Sequence, residues 1–336
     1  SPKNGWGRKQ SMTEGDSHYW GVWWGFEPFS VYKTKVPRFM SEYGFQGFPN
    51  AQTVLSFSKN GIETPDSSEL FAHQKHPVGY QTIDKYSQHE GFYPKTLDER
   101  IYTSQIVQSI GYRTAIESHR LAMPRCMGTL YWQLNDCWPV VSWSSIDFYG
   151  RWKAVQYTIR DAYKPILIST KTSKSNIDIN VVSDLQQVAE GVLNVSVYNL
   201  NGEVLKRWSN KVRVKPNKSE LISYLIYQFA DTDSANIFVY SEFRSTSGEA
   251  FKSYAFNCKQ GYLNVQSPEI KMRIEENYLV LTCTKPAFYV NISSVNDIEV
   301  DNNFFNMLPR KEYKVKVLKG DANSVEIKSL YNYIHK

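Results

Sequence analysis

Cysteine is scarce here: Cys126, Cys137, Cys258 and Cys283 are the only four in 336 residues, and no two share a short paired spacing. Neither a zinc site nor a dense disulfide framework is expected from them. Cys126 and Cys137 would flank a single strand, which at about 3.3 Å per residue holds them too far apart to bridge, so free buried thiols are the expectation. No apolar run approaches the ~20 residues of a membrane span, and no membrane partner is expected. The net charge of +6 comes from cations spread along the chain rather than from a dense basic run interleaved with aromatics. A solvated sheet face accounts for such a spread, so no nucleic-acid partner is expected. There is no G-x-S-x-G elbow, no phosphate loop and no dinucleotide fingerprint, which leaves a serine hydrolase or a nucleotide cofactor without support. The opening SPKNGWGRKQ is no signal peptide; any targeting signal is expected upstream.

Aromatic residues are abundant instead. They make up 15% of the chain, and eight of the nine tryptophans fall within the first 152 residues. Flat rings with a polar edge suit sugars, whose C–H faces stack while the hydroxyls seek hydrogen bonds. On composition alone, a large Trp-built core explains them equally well.

Two textures divide the chain. Residues 1–168 read as mixed α/β. Arg38–Gly44 and Gly128–Leu134 are strand candidates. Between them Thr96 and Glu99 form a capping box, opening a helix that carries Tyr102, Ile106, Val107 and Ile110 and extends to about Arg120. A second helix is expected over Lys153–Ala162. Residues 57–95 read as a long irregular segment. Strand, helix, strand, helix is the grammar of a parallel sheet, yet two strands cannot build one that is buried on both faces. Residues 1–168 therefore read as the last part of a larger barrel. Beyond Pro165, alternating apolar residues such as Ile177, Ile179 and Val181, with a hairpin signal at Asn201-Gly202, mark a sandwich over 169–262. A small second sandwich follows over 263–336, on Tyr278–Thr284, Phe288–Ile292, Glu312–Val317 and Val325–Ser329.

Glu42 is the chemical focus. It stands at the carboxyl end of its strand, where α/β barrels place their active sites. Tyr43, Phe45, Gln46 and Phe48 follow it, and the aromatic run His18–Gly25, with Tyr19 and Trp24, precedes it. Aromatics and amide donors around one carboxylate are what a sugar pocket requires. His18, Tyr19 and Tyr43 are candidate donors to Glu42, unranked by sequence. Trp132 can floor a pocket, with Asn135 or Asp136 reaching hydroxyls; equally, Trp132 can fill the barrel and Asp136 cap a turn. Asp16 and Glu27 are further carboxylates near the cluster. His73 and His76 have the spacing of a helical metal pair, but Pro77 follows and no third ligand is evident, so no metal is expected. Asn194, Asn217 and Asn291 sit in glycosylation acceptor patterns.

The stretches GWGR (5–8), GDSHYWGVWWG (15–25), RFMSEYGFQGFP (38–49), GTLYWQLNDCWP (128–139) and SWSSIDFYGRWKAVQY (142–157) resemble, in order and spacing, the C-terminal third of β-mannosidases of glycoside hydrolase family 2. The resemblance covers residues 1–165 nearly continuously. It implies a five-domain enzyme in which this chain holds the loop after strand six, strands seven and eight of a (β/α)8 TIM barrel, and two immunoglobulin-like β-sandwich domains. It implies further that Glu42 is the nucleophile of a retaining exo-acting enzyme and that Trp132 lines the sugar subsite. The substrates would be mannose-containing oligosaccharides or glycans, and no cofactor is involved. The family's acid/base glutamate lies in an Asn-Glu motif on strand four, and no Asn-Glu dipeptide occurs here. This segment alone is accordingly expected to be inactive, with upstream domains of the same protein as partners. A periplasmic, secreted or lysosomal address is expected over a cytoplasmic one. A related β-galactosidase or β-glucuronidase, and a non-catalytic carbohydrate-binding fragment, are the competing readings.

Overall fold

The computed structural model describes residues 12–58, 68–230 and 234–334; the GWGR stretch lies outside them. In the first unit, β1 (Ser17–His18) pairs in parallel with β2 (Met40–Glu42). The helices α1 (Ala51–Leu55), α2 (Ser68–Ala72), α3 (Gly79–His89), α4 (Leu97–Leu121) and α5 (Ala154–Ala162) follow. Residues 127–132 continue the parallel layer on the other side of β2. Met127 N donates to Arg38 O (3.0 Å), Met40 N to Gly128 O (2.9 Å), Leu130 N to Met40 O (2.8 Å) and Trp132 N to Tyr43 O (2.8 Å). Three parallel chain segments therefore lie side by side, one more than sequence reading finds. A two-residue strand such as β1 is too short to show a period.

The helix α4 covers this layer. Thr96 Oγ1 accepts from Glu99 N at 3.2 Å, and Glu99 returns its carboxylate to Thr96 N, closing the capping box. His119 and Arg120 close its last turn, where a helix dipole favours cationic side chains. Gly111 lets the helix seat on Phe29, whose ring lies 2.6 Å from where a Cβ would stand. Residues 57–95 are not irregular throughout: α2 and α3 occupy part of them, and Leu70, Tyr80, Ile83 and Tyr86 are buried there. The second predicted helix begins at Ala154, with Lys153 as its N-cap.

Seven strands build the first sandwich: β3 (Ile166–Thr172), β4 (Asn176–Ser183), β5 (Ala189–Asn199), β6 (Val204–Val214), β7 (Lys218–Ile226), β8 (Ile237–Ser245) and β9 (Ala250–Phe256). Its sheets run β3-β4-β7 and β6-β5-β8-β9, and Ile177, Ile179, Val181, Leu193, Val195 and Val197 fill the space between them. Strand β3 begins inside the segment that sequence reading assigns to the barrel. Gly202, at φ +91°, turns the β5–β6 hairpin where Asn201-Gly202 predicts it.

The second sandwich has β10 (Lys271–Glu275), β11 (Tyr278–Thr282), β12 (Ala287–Ser294), β13 (Glu299–Val300), β14 (Phe305–Met307), β15 (Tyr313–Lys319) and β16 (Val325–Lys328), in sheets β10-β11-β15-β13 and β14-β12-β16. Barrel end and sandwiches share one apolar core: Tyr102 of α4 stacks on Tyr333 at 3.8 Å and donates to Tyr289 O at 2.7 Å, and Phe238 meets Phe288. Arg120 ties the barrel end to the first sandwich, donating to Ala162 O (2.6 Å), Lys164 O (2.9 Å) and the Asp184 carboxylate (2.7 Å). All four cysteines are free.

Candidate active site

Glu42 ends β2, and its carbonyl accepts from Tyr19 N at 2.7 Å. Its carboxylate Oε2 lies 2.8 Å from His18 Nε2. Both side chains are partly open to solvent, Glu42 at 23% and His18 at 32%. The register between β1 and β2 slips between Ser17 and His18, and this irregularity lets Ser41 and Glu42, neighbours in sequence, reach the same imidazole. Ser41 Oγ donates to Asp16 Oδ2 at 2.6 Å and lies 2.8 Å from His18 Nδ1. The four residues form one chain, Asp16–Ser41–His18–Glu42, with a carboxylate at each end. The imidazole is thus held at both ring nitrogens, Nδ1 against Ser41 and Nε2 against Glu42. Of the three candidate donors to Glu42, His18 holds the position.

Several candidates stand elsewhere. Tyr43 follows Glu42 just past the end of β2 and points to the opposite face. Its ring is wholly buried against Tyr32 and His119, its hydroxyl accepts from Thr129 Oγ1 at 3.2 Å, and burial raises its pKa. Tyr19 is buried and gives its hydroxyl to Glu27, which commits both groups; burial first and Glu27 second raise the tyrosine pKa. Gln46 is 0% exposed, its amide oxygen set against Gly79 rather than Glu42. Asp136 is an internal anchor and not a surface group. It accepts from Ser142 Oγ (2.7 and 2.8 Å) and Ser144 Oγ (2.5 Å), with Lys75 Nζ at 3.9 Å. The buried ammonium of Lys153 nearby is pushed down to about 7 by burial, with Asp136 and Asp147 opposing the fall.

Trp132 remains beside Glu42 through the backbone bond of its N–H to Tyr43 O, and its side chain is 45% exposed. Gly44 permits this approach: a Cβ there would strike the Trp132 carbonyl. The Trp132–Gln133 peptide is cis. Asn135 is exposed three residues on. Trp24, half exposed, stands edge-on to His76 at 4.5 Å. His73 and His76 do not converge, for His73 stacks on Phe57 at 4.0 Å and bonds Pro139 O, while His76 packs among Trp23, Trp24 and Trp143. Among the described residues, no three His, Cys, Asp or Glu side chains gather as a metal site would need. Ser41 had no signal in the sequence, because a lone serine in a strand is unremarkable.

Comparisons with known proteins extend beyond this site. Residues 175–257 match a Mannosidase Ig/CBM-like domain, and residues 265–333 an Ig-fold domain. The chain is 25% identical to β-mannosidase B of Aspergillus clavatus over 94% of its own length and 41% of that protein's. It is 33% identical to the Aspergillus niger protein of the same name over 53% of its length and 23% of that protein's. The chain thus spans about two fifths of the length of curated relatives that match nearly all of it. In structure it resembles a β-D-mannosidase from Dictyoglomus thermophilum, with TM-score 0.82 and 26% identity over 94% of this chain and 40% of that one. An exo-chitosanase from Amycolatopsis orientalis shares the fold at TM-score 0.66 and 14% identity, over 90% of this chain and 44% of that one.

Proposed function

We propose that this chain, similar to β-mannosidases over 94% of its length, carries the nucleophile of a retaining exo-acting β-mannosidase of glycoside hydrolase family 2 that removes terminal non-reducing β-D-mannose. The observation that supports this reading is the Glu42 carboxylate at a parallel strand end, anchored by His18 and flanked by Trp132. Retaining enzymes hold two carboxyl groups ~5–5.5 Å apart. One attacks the anomeric carbon, and the other first protonates the leaving oxygen and then activates water. Glu42 takes the first role. It must attack as a carboxylate, and a donor at Oε2 holds one oxygen while the other is presented to the sugar. The acid/base glutamate lies upstream of this chain, so the segment by itself does not turn over, and its working partners are the upstream domains and a mannose-containing glycan. Trp132 supplies the flat wall for the ring; Asn135 and Trp24 are the exposed groups left to meet its hydroxyls and aglycone. Residues 1–165 form the barrel's share of the chain, and the two sandwiches follow.

Covalent trapping tests the nucleophile. The full-length protein is treated with a 2-deoxy-2-fluoro-mannosyl fluoride and digested. The sugar mass is expected on the peptide that contains Glu42, and Glu42→Gln is expected to abolish both labelling and mannoside hydrolysis. A label on another carboxylate, or wild-type turnover by the variant, overturns the assignment.

A further inference from the structure

Phe148 and Tyr149 stand half exposed, side by side and edge to face, with ring centroids 5.0 Å apart. Adjacent aromatic rings left in water are apolar surface of the kind that marks a contact, and these two are not on a slack loop. They sit on a β-turn in which Gly150 N donates to Asp147 O at 3.0 Å, with Gly150 at φ +84°. Asp147 holds the turn from inside. Its buried carboxylate accepts from Tyr149 N and Arg151 N, both at 3.0 Å, and from Thr53 Oγ1. Arg151 holds it from outside. The guanidinium lies over the Tyr149 ring at 5.0 Å and donates to Thr53 Oγ1 at 3.2 Å. It also grips the Asp297 carboxylate of the second sandwich, through Nε at 3.1 Å and a terminal nitrogen at 2.8 Å. Barrel end and second sandwich together fix one turn, and rings fixed before a ligand arrives lose little freedom on binding it.

The turn is continuous with the candidate active site. Ser145 N donates to Gln133 O (3.1 Å) and Ile146 N to Leu134 O (2.8 Å), and Asn135 pairs in parallel with Ile146. The residues that lead into the turn therefore lie against those that follow Trp132. Trp132, Leu134, Asn135, Phe148 and Tyr149 are all exposed, so one exposed run leads from the indole beside Glu42 to the turn.

We propose that this turn is a distal subsite, in which Phe148 and Tyr149 stack a sugar of the leaving chain when the substrate is a β-linked manno-oligosaccharide. The inference rests on the catalytic reading above. An exo-acting enzyme seats one sugar at the nucleophile, so a sugar met farther out belongs to the chain that leaves. Its C–H face lies on the aromatic pair while its hydroxyls stay in water. Through the Arg151–Asp297 clamp the second sandwich takes part in selecting substrate length.

Initial rates of the full-length protein on a nitrophenyl β-mannoside, β-1,4-linked mannobiose and β-1,4-linked mannotetraose provide the test. Wild type is expected to show kcat/KM about fivefold higher for the tetraose than for the biose, the scale of one aromatic contact. The double variant Phe148→Ala/Tyr149→Ala should lose that preference, with the nitrophenyl substrate and the melting temperature nearly unchanged. Asp297→Ala, which releases Arg151 without touching the rings, should lower the tetraose preference in the same direction. Equal losses on all three substrates, or a preference that survives in the double variant, overturns the subsite. A large fall in melting temperature with the preference intact assigns the rings to contact with upstream domains instead, and overturns it too. Wild type that hydrolyses none of the three overturns the catalytic reading and this inference with it, whereas hydrolysis of all three without dependence on length overturns this inference alone.

Discussion

Glu42 and His18 occupy facing positions on adjacent parallel strands, with 2.8 Å between carboxylate Oε2 and imidazole Nε2. The imidazole is fixed from behind by Ser41 and, through it, Asp16. A carboxylate that attacks an anomeric carbon must be aimed, and this chain of bonds aims it. His18 is a positioning residue in that arrangement. His18→Gln is expected to lower kcat of the full-length protein about 10²-fold, the scale of losing one preorganised donor, with KM for a nitrophenyl mannoside nearly constant. The rate of labelling by the fluoro-sugar should fall in proportion. A change confined to KM or to thermal stability would reduce His18 to a structural role.

Ser41 gives a graded version of the same test. Ser41→Ala removes the hydroxyl that holds His18 Nδ1 and the proton that Asp16 receives. The ring keeps Glu42 but loses its rear support. Labelling is expected to slow by about tenfold, roughly 1.4 kcal/mol, between wild type and His18→Gln. A Ser41→Ala effect equal to that of His18→Gln would mean that the ring leaves Glu42 altogether.

Trp132 is fixed by its backbone and free in its side chain, which is nearly half exposed. Truncation should therefore remove a binding surface at little cost in folding. Trp132→Ala is expected to raise KM for mannosides about tenfold, in line with the 1–3 kcal/mol of a lost apolar contact, with a melting temperature within a degree or two of wild type. Unchanged kinetics would take the indole out of the sugar site.

Much of this was legible in the sequence, for identifiable physical reasons. The Thr96–Glu99 box is a local chemical signal and predicted its helix start. The alternation Ile177, Ile179, Val181 predicted a strand with one buried face. Alternation also held information about Tyr43 that the unranked set of donors left unused: the residue next to Glu42 along the expected strand Arg38–Gly44 must face away from it. His18 was hard to rank because its strand is two residues long and its contact with Glu42 depends on a register slip that no period reveals. Gln46 and Asp136 were drawn toward the site by their polarity. Asp136 is instead satisfied internally by Ser142 and Ser144, while the Gln46 amide is buried beside Gly79. Polarity in sequence does not distinguish a group facing water from one facing a buried partner.

Arg120 joins the barrel end to the first sandwich with three acceptors, two of them backbone carbonyls. The guanidinium is nearly buried, at 7%, whereas Asp184 is 47% exposed. Arg120→Met leaves carbonyls and a carboxylate without their donor and should cost about 2–4 kcal/mol in chemical denaturation. Asp184→Asn should cost under about 1 kcal/mol, since an exposed partner is resolvated and screened. Equal losses would place the stabilisation in the ion pair rather than in the backbone clamp.

His119 sets an acid limb on stability. Its ring is buried between Tyr32 and Tyr43, with Nδ1 at 2.8 Å from Thr129 Oγ1. Thr129 gives its own proton to Tyr43, so it accepts from a neutral Nδ1–H. Burial lowers the histidine pKa from 6.5 to about 4. Between those values the unfolded chain binds a proton that the folded chain refuses, so stability is full above pH 6.5 and declines as pH falls toward 4. The integrated loss is about 3 kcal/mol at 1.36 kcal/mol per unit. Carboxylates also contribute to acid unfolding, but they are common to a His119→Gln variant, whose amide can still donate to Thr129. Denaturation free energies measured every half unit from pH 7 to 4 should therefore converge, the wild type losing about 3 kcal/mol more than the variant. Parallel curves across that range would show that the ring takes up its proton without penalty in the folded state.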